Sequence, residues 1–184
     1  MTGKENDMNY GDIKRIDVAN GPGVRVSLFV SGCTHHCKGC FNPETWDFNY
    51  GKLFTEQDIE TIMEYLKPDY IKGLSLLGGE PFEYSNQQGL LPLLRRFKAV
   101  YPKKNVWCYT GYDFEKDIRD NMMVKWPETR ELIRYIDILV DGEFMEERKD
   151  LALRFRGSDN QRIIDVAKSL QSDKVILWDQ KGTI

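Results

Sequence analysis

Cys33, Cys37 and Cys40 follow one another as Cys-x3-Cys-x2-Cys. At that spacing three thiolates reach one small object without help from distant parts of the chain. Two objects suit them. A structural zinc takes four protein ligands, and His35, His36 or Cys108 can complete such a set. A 4Fe-4S cluster normally takes four cysteines, so three leave one iron with an open position for a small molecule. Cys108, alone on an apolar stretch, reads as a small buried hydrophobe rather than a ligand. Gly78-Gly79-Glu80-Pro81 has the composition of a turn, but a carboxylate set between a glycine pair and a proline can also accept hydrogen bonds from an ammonium group. Asn20-Gly21-Pro22-Gly23 before Arg25 is likewise a turn by composition. Arg154, Arg156 and Arg162, interleaved with Phe155 and with Asn160-Gln161, read either as a solvated basic patch or as an anion or peptide contact.

The elements that must position these residues alternate between β and α patterns. Residues 24–30, 73–77, 105–110 and 136–140 are apolar, β-branched runs that predict strands, and 175–178 predicts a closing strand. Thr55 and Asp58 form an N-terminal capping signal ahead of Ile59, Ile62, Met63 and Leu66, which share one helical face. Further helices are predicted over 90–100, with Pro92 in the first turn, and over 113–119 and 127–135. Residues 163–170 fit a helix by spacing, although Ile163-Ile164 also suits a strand. Strands separated by helices imply parallel pairing, and ligands in such sheets bind beyond the carboxyl ends of the strands. Segments 32–41, 78–81, 109–112 and 141–143 each follow a predicted strand and should therefore share one mouth.

The chain has 184 residues, enough for one domain with a substantial core: a loose tail over 1–8 and a single domain over 9–184. Its 26 basic and 29 acidic side chains leave a net charge of −3, which argues against a nucleic-acid partner. No apolar run is long enough for a membrane span. The first eight residues lack the apolar stretch of a secretory signal, so a cytoplasmic location is expected, where thiols stay reduced and a disulfide framework is not expected.

In order and spacing, four segments of this chain together resemble the anaerobic ribonucleoside-triphosphate reductase activating proteins, which are radical S-adenosylmethionine enzymes. They are Asn-Gly-Pro-Gly-Val-Arg, Ser-Gly-Cys-Thr-His-His-Cys-Lys-Gly-Cys-Phe-Asn-Pro, Leu-Gly-Gly-Glu-Pro and Arg-Phe-Arg-Gly-Ser-Asp-Asn-Gln-Arg. The resemblance implies an α/β fold, a compact partial (β/α) barrel of parallel strands with helical crossovers. It implies a 4Fe-4S cluster on Cys33, Cys37 and Cys40, with S-adenosylmethionine at the fourth iron. Gly78, Gly79 and Glu80 would receive the cofactor's amino group. In the wider group of glycyl-radical activating enzymes the residue before the last cysteine is often aromatic and supports the adenine; here it is Gly39, and Phe41 or Asn42 would supply those contacts. Asp141 matches an acidic residue near the ribose, whereas Glu143 stands where a lysine is expected and Asn20 where many relatives have an aspartate. The implied partners are the catalytic subunit of the reductase, which would receive a glycyl radical, and a low-potential, flavodoxin-like electron donor. Arg154, Arg156 and the Arg25 region are candidates for gripping the glycine loop. The competing readings are an activator of another glycyl-radical enzyme such as pyruvate formate-lyase, and a zinc-stabilised binding module without catalysis.

Overall fold

The computed structural model describes residues 8–179. A seven-stranded sheet in the order β3-β1-β2-β4-β5-β6-β7 forms its centre. The strands are β1 (Asn9–Asp17), β2 (Val24–Val30), β3 (Lys52–Leu53), β4 (Ile71–Gly78), β5 (Asn105–Tyr109), β6 (Ile138–Asp141) and β7 (Arg162–Asp165). Strands β2, β4, β5 and β6 pair in parallel, as the alternating pattern predicts. At the two flanks the pairing changes: β1 and β3 on one side and β7 on the other are antiparallel.

Several elements differ from the sequence expectation, each for a local reason. β1 is not visible in the pattern because Asp12, Lys14, Arg15 and Asp17 charge it and two register shifts against β2 break its alternation. Met8, assigned to a loose tail, is 1% exposed, and its carbonyl accepts a hydrogen bond from Phe54; residues 1–7 of that tail lie outside the described residues. The ambiguous stretch after 162 resolves into both alternatives, strand β7 and then helix α5 (Val166–Ser172), divided at Asp165, whose side chain caps the helix by accepting from the Lys168 amide. The predicted strand at 175–178 makes only an isolated bridge, Leu177 to Ile164.

Helix α1 (Glu56–Tyr65) begins as its capping signal predicts: the Thr55 backbone N–H and hydroxyl both donate to Asp58 at 2.7 Å. Its buried stripe of Ile59, Ile62 and Met63 packs into the core. Helix α2 (Tyr84–Val100) starts six residues before the predicted 90, so Pro92 lies in its interior rather than in its first turn. A π-helical segment (Phe114–Met122) runs into the single turn α3 (Met123–Lys125), and α4 (Pro127–Tyr135) follows.

The helices cover one face of the sheet. There Val26, Leu28, Val30, Leu74, Leu76, Val106, Cys108 and Leu139 meet Ile62, Leu90, Leu94, Phe97 and Ile133 in the main core. The other, concave face carries Arg25, Ser27, Ser75 and Trp107, and at its far end Ile138 and Val140 pack with Trp107 against Phe155, Ile163 and Trp178.

Arg25 is not available to grip a partner. It is fully buried beneath the concave face, where its Nε donates to Ser75 Oγ at 2.7 Å and a terminal nitrogen donates to the Leu74 and Asn105 carbonyls. Ser75 Oγ in turn donates to the Asn20 carbonyl at 2.6 Å, and Asn20 Nδ2 donates to Asp17. The Asn20 turn is thus held to the sheet by a buried chain of polar contacts. Burial with no carboxylate in direct contact lowers the guanidinium to about 10, the nearby Tyr109, Asp137 and Asp17 opposing the drop. Arg25→Met keeps most of the volume but strips these acceptors of their donor; the expected loss of about 1–3 kcal/mol should appear as a lowered urea midpoint with unchanged slope.

Candidate metal and cofactor site

The four parallel strands end on the same edge of the sheet. Beyond that edge lies a cavity of about 480 Å³ lined by Cys33, Cys37, Cys40, Phe41, Asn42, Gly78, Gly79, Glu80, Thr110, Gly111, Gly142 and Phe144, among others. All four segments predicted to share one mouth contribute to it.

The cysteine loop leaves β2 and is sutured to its neighbours by backbone hydrogen bonds. Gly32 N–H donates to the Thr45 carbonyl and Cys33 N–H to the Trp46 carbonyl, both in a short 3-10 helix (Pro43–Trp46). From the next strand, Gly79 N–H donates to Val30 and Glu80 N–H to Gly32. These bonds bring the chains so close that Gly79 must be glycine: an added Cβ would sit 2.6 Å from the Gly32 carbonyl oxygen. Asn86, buried in the first turn of α2, donates to the Ser31 and Glu80 carbonyls and ties the helix to both loops. Nothing in its sequence context sets Asn86 apart.

Glu80 is 1% exposed and is the hub of this arrangement. Its Oε1 accepts from the Phe82 amide at 2.9 Å and from Thr110 Oγ1 at 2.8 Å, and its Oε2 accepts from the Gly111 amide at 2.7 Å. His35 Nε2 lies 3.2 Å from the same Oε2, a charge contact off the hydrogen-bonding direction. Burial lowers the His35 pKa, but Glu80 outweighs it and the net shift is upward. His36 is turned away, its ring stacked 4.6 Å from that of Trp46.

All four cysteines are free thiols. Cys108 is fully buried in the helix-side core, on the far face of β5 from the mouth, and its burial raises its pKa strongly. It is no candidate for a fourth ligand. Burial pushes Cys33 up to about 11 and, with Glu143 adding to it, Cys37 up to about 12, so loading with iron must release these protons. Cys40 Sγ accepts a hydrogen bond from the Asn42 amide at 3.4 Å.

The spacing of the thiols bears on the two metal readings. Tetrahedral zinc with Zn–S bonds of about 2.3 Å needs its sulfurs roughly 3.8 Å apart. Among the described residues, the one trio of His, Cys, Asp or Glu whose ligand atoms all lie within 4.8 Å of one another is Asp113, Glu115 and Asp141, not the cysteine loop. The loop is therefore not gathered on a single ion, and it suits a cluster whose irons each take one thiolate.

Asp141 stands apart from the mouth. Its carboxylate accepts from the Phe114 amide at 2.9 Å and is held in a two-point pair by Arg162, which also bonds Glu115. Arg162 is thereby committed to carboxylates and is not free for an anion. Arg156 lines the cavity and donates to the Gln161 carbonyl, while Arg154 is exposed and lies over the Phe155 ring. The Arg-Phe-Arg-Gly-Ser-Asp-Asn-Gln segment is explained largely by its own bonding: Gln161 Oε1 accepts from the Gly157 and Ser158 amides, and its Nε2 donates to the Gly142 carbonyl.

A three-thiol loop of this geometry, next to a pocketed carboxyl edge, defines a single-cluster iron-sulfur domain. In agreement, the family model described as a 4Fe-4S single cluster domain matches residues 19–164. The chain is also 44% identical over 158 residues to the anaerobic ribonucleoside-triphosphate reductase-activating protein of Vibrio cholerae, covering 85% of this chain and 97% of that one. Proteins of the same description from phage T4 and Escherichia coli are each 40% identical, covering 85% and 84% of this chain and 93% and 96% of their own. The chain belongs to the family of anaerobic ribonucleoside-triphosphate reductase-activating proteins.

Cys33→Ala, Cys37→Ala and Cys40→Ala should each lose bound iron and sulfide after anaerobic reconstitution, whereas Cys108→Ala should keep wild-type content. A fully loaded Cys37→Ala protein would contradict the ligand assignment.

Proposed function

We propose that this protein activates anaerobic ribonucleoside-triphosphate reductase, using a 4Fe-4S cluster and S-adenosylmethionine to install a glycyl radical in the reductase's catalytic subunit. The observation that carries this reading is the meeting of the three-cysteine loop and the Gly78-Gly79-Glu80 turn at one cavity. When bound, cluster and cofactor supply one-electron cleavage of the sulfonium bond and hydrogen abstraction from a glycine α-carbon of the partner.

The chain's own residues hold and shield. Cys33, Cys37 and Cys40 would hold the cluster, with the cofactor bound beside it in the same cavity. Gly78 and Gly79 let the backbone approach closely. Glu80 Oε2, whose contact with His35 is the one poorly aligned bond on the carboxylate, would be the acceptor for the cofactor's amino group. Phe41 and Asn42 border the nucleoside side. The substrate in this reading is a peptide loop of the partner, and the partner would supply much of the surface that excludes water from the site. We place the protein in the cytoplasm with a low-potential, flavodoxin-like donor feeding the cluster. Among the described residues, no helix is long and apolar enough to cross a membrane.

Reduced, cluster-loaded protein mixed with S-adenosylmethionine and the reductase should produce a glycyl radical signal in electron paramagnetic resonance. With reductase deuterated at glycine, the label should appear in 5′-deoxyadenosine; a radical formed without label transfer would refute direct abstraction. Glu80→Gln should retain iron yet bind S-adenosylmethionine about tenfold to a hundredfold more weakly in anaerobic calorimetry, the value of a charge-assisted hydrogen bond.

A further inference from the structure

Between β6 and β7 the chain forms a strap, residues 142–161, that crosses beside the cysteine loop. Three contacts join the two. Lys38 pairs with Glu146 at 3.2 Å, Lys149 Nζ lies 5.1 Å from the centre of the Phe41 ring, and the rings of Phe41 and Phe144 meet at 5.1 Å. Two glycines permit this closeness. Gly39, with φ at +72°, would bring a Cβ within 2.9 Å of Glu146, and a Cβ on Gly157 would press 3.0 Å from the Phe144 ring and 3.1 Å from the Phe41 ring. Phe144 and Phe41 therefore form a shelf with Gly157 at its back, and both rings line the cavity on the flank that begins immediately after Cys40.

Of the other aromatic side chains lining the cavity, Phe29 and Tyr109 belong to strands β2 and β5, and two more are engaged elsewhere. Trp46 has His36 stacked on its ring, and Phe155 is spent against Trp107 at 5.4 Å. Phe144 is half-buried and supported by Phe41, with Gly157 packed against both rings.

We propose that Phe144, backed by Phe41 and Gly157, is the stacking surface for the adenine of S-adenosylmethionine. The inference rests on the cofactor reading above and assigns its nucleoside end to the strap rather than to the cysteine loop alone. A planar base gains from an aromatic face through dispersion and desolvation whatever its hydrogen bonding, and loss of one such face costs on the order of tenfold in affinity.

The test uses cluster-loaded protein in anaerobic calorimetry with three probes: S-adenosylmethionine, 5′-deoxyadenosine and methionine. Phe144→Leu should bind the first two about tenfold more weakly and methionine as wild type does, with iron content unchanged. Phe144→Trp should restore nucleoside binding. If Phe144→Leu fails to hold its cluster, Phe144→Met, closer in volume, is read in the same way. Unchanged nucleoside affinity, or an equal loss for methionine and 5′-deoxyadenosine, overturns the assignment. Wild-type protein that bound none of the three would instead overturn the cofactor reading on which it stands.

Discussion

The site depends on one buried carboxylate. Glu80 is held by donors from its own turn and from the end of β5, and it touches His35 of the cysteine loop. A charge in so dry a place is tolerable only because several hydrogen bonds meet it. That requirement sets the rest. The strand ends must finish level, the glycines must let backbones touch, and the cysteine loop must pass close enough to be stitched to both neighbours. The same group that organises the mouth also gives it negative charge at the place proposed for an ammonium, so architecture and recognition share one residue.

The two faces of the sheet divide the work. The helix side is a dry core in which even Cys108 behaves as a small apolar side chain. The concave side is built from polar links, running from Arg25 through Ser75 and Asn20 to Asp17, with aromatic packing only at its far end. Such a lining leaves room for a cavity because its groups bond to one another along the sheet rather than filling the space above it.

What the sequence made legible follows from the range of each interaction. The cysteine spacing, the glycine pair and the Thr55 cap act within a few residues, and the central strands and α1 announce themselves by local periodicity. Arg25, Asn86 and Arg162 act across the fold: each looks like an ordinary polar residue until partners from distant parts of the chain, such as Ser75, Ser31 and Asp141, are in place. β1 escaped for a related reason, since its charges and bulges belong to an edge that only the assembled sheet defines. Gly39 is the clearest case. As a sequence departure it removes an aromatic ring from the cysteine loop; in the structure it makes room for the strap that carries Phe144 to the same cavity.

The Arg162 clamp bears on the order in which the site can come into being. Asp141 is 1% exposed, and its main counter-charge arrives from β7, which pairs with β6 only after the strap has looped back. Emerging from the ribosome, the chain presents its three cysteines more than a hundred residues before Arg162, at a rate of about 5–20 residues per second. Until that arginine docks, the end of β6 beneath the mouth lacks the counter-charge that makes burial of Asp141 tolerable. A finished pocket is therefore a property of the nearly complete chain, and nascent or truncated chains would display thiols without the enclosure that makes them useful.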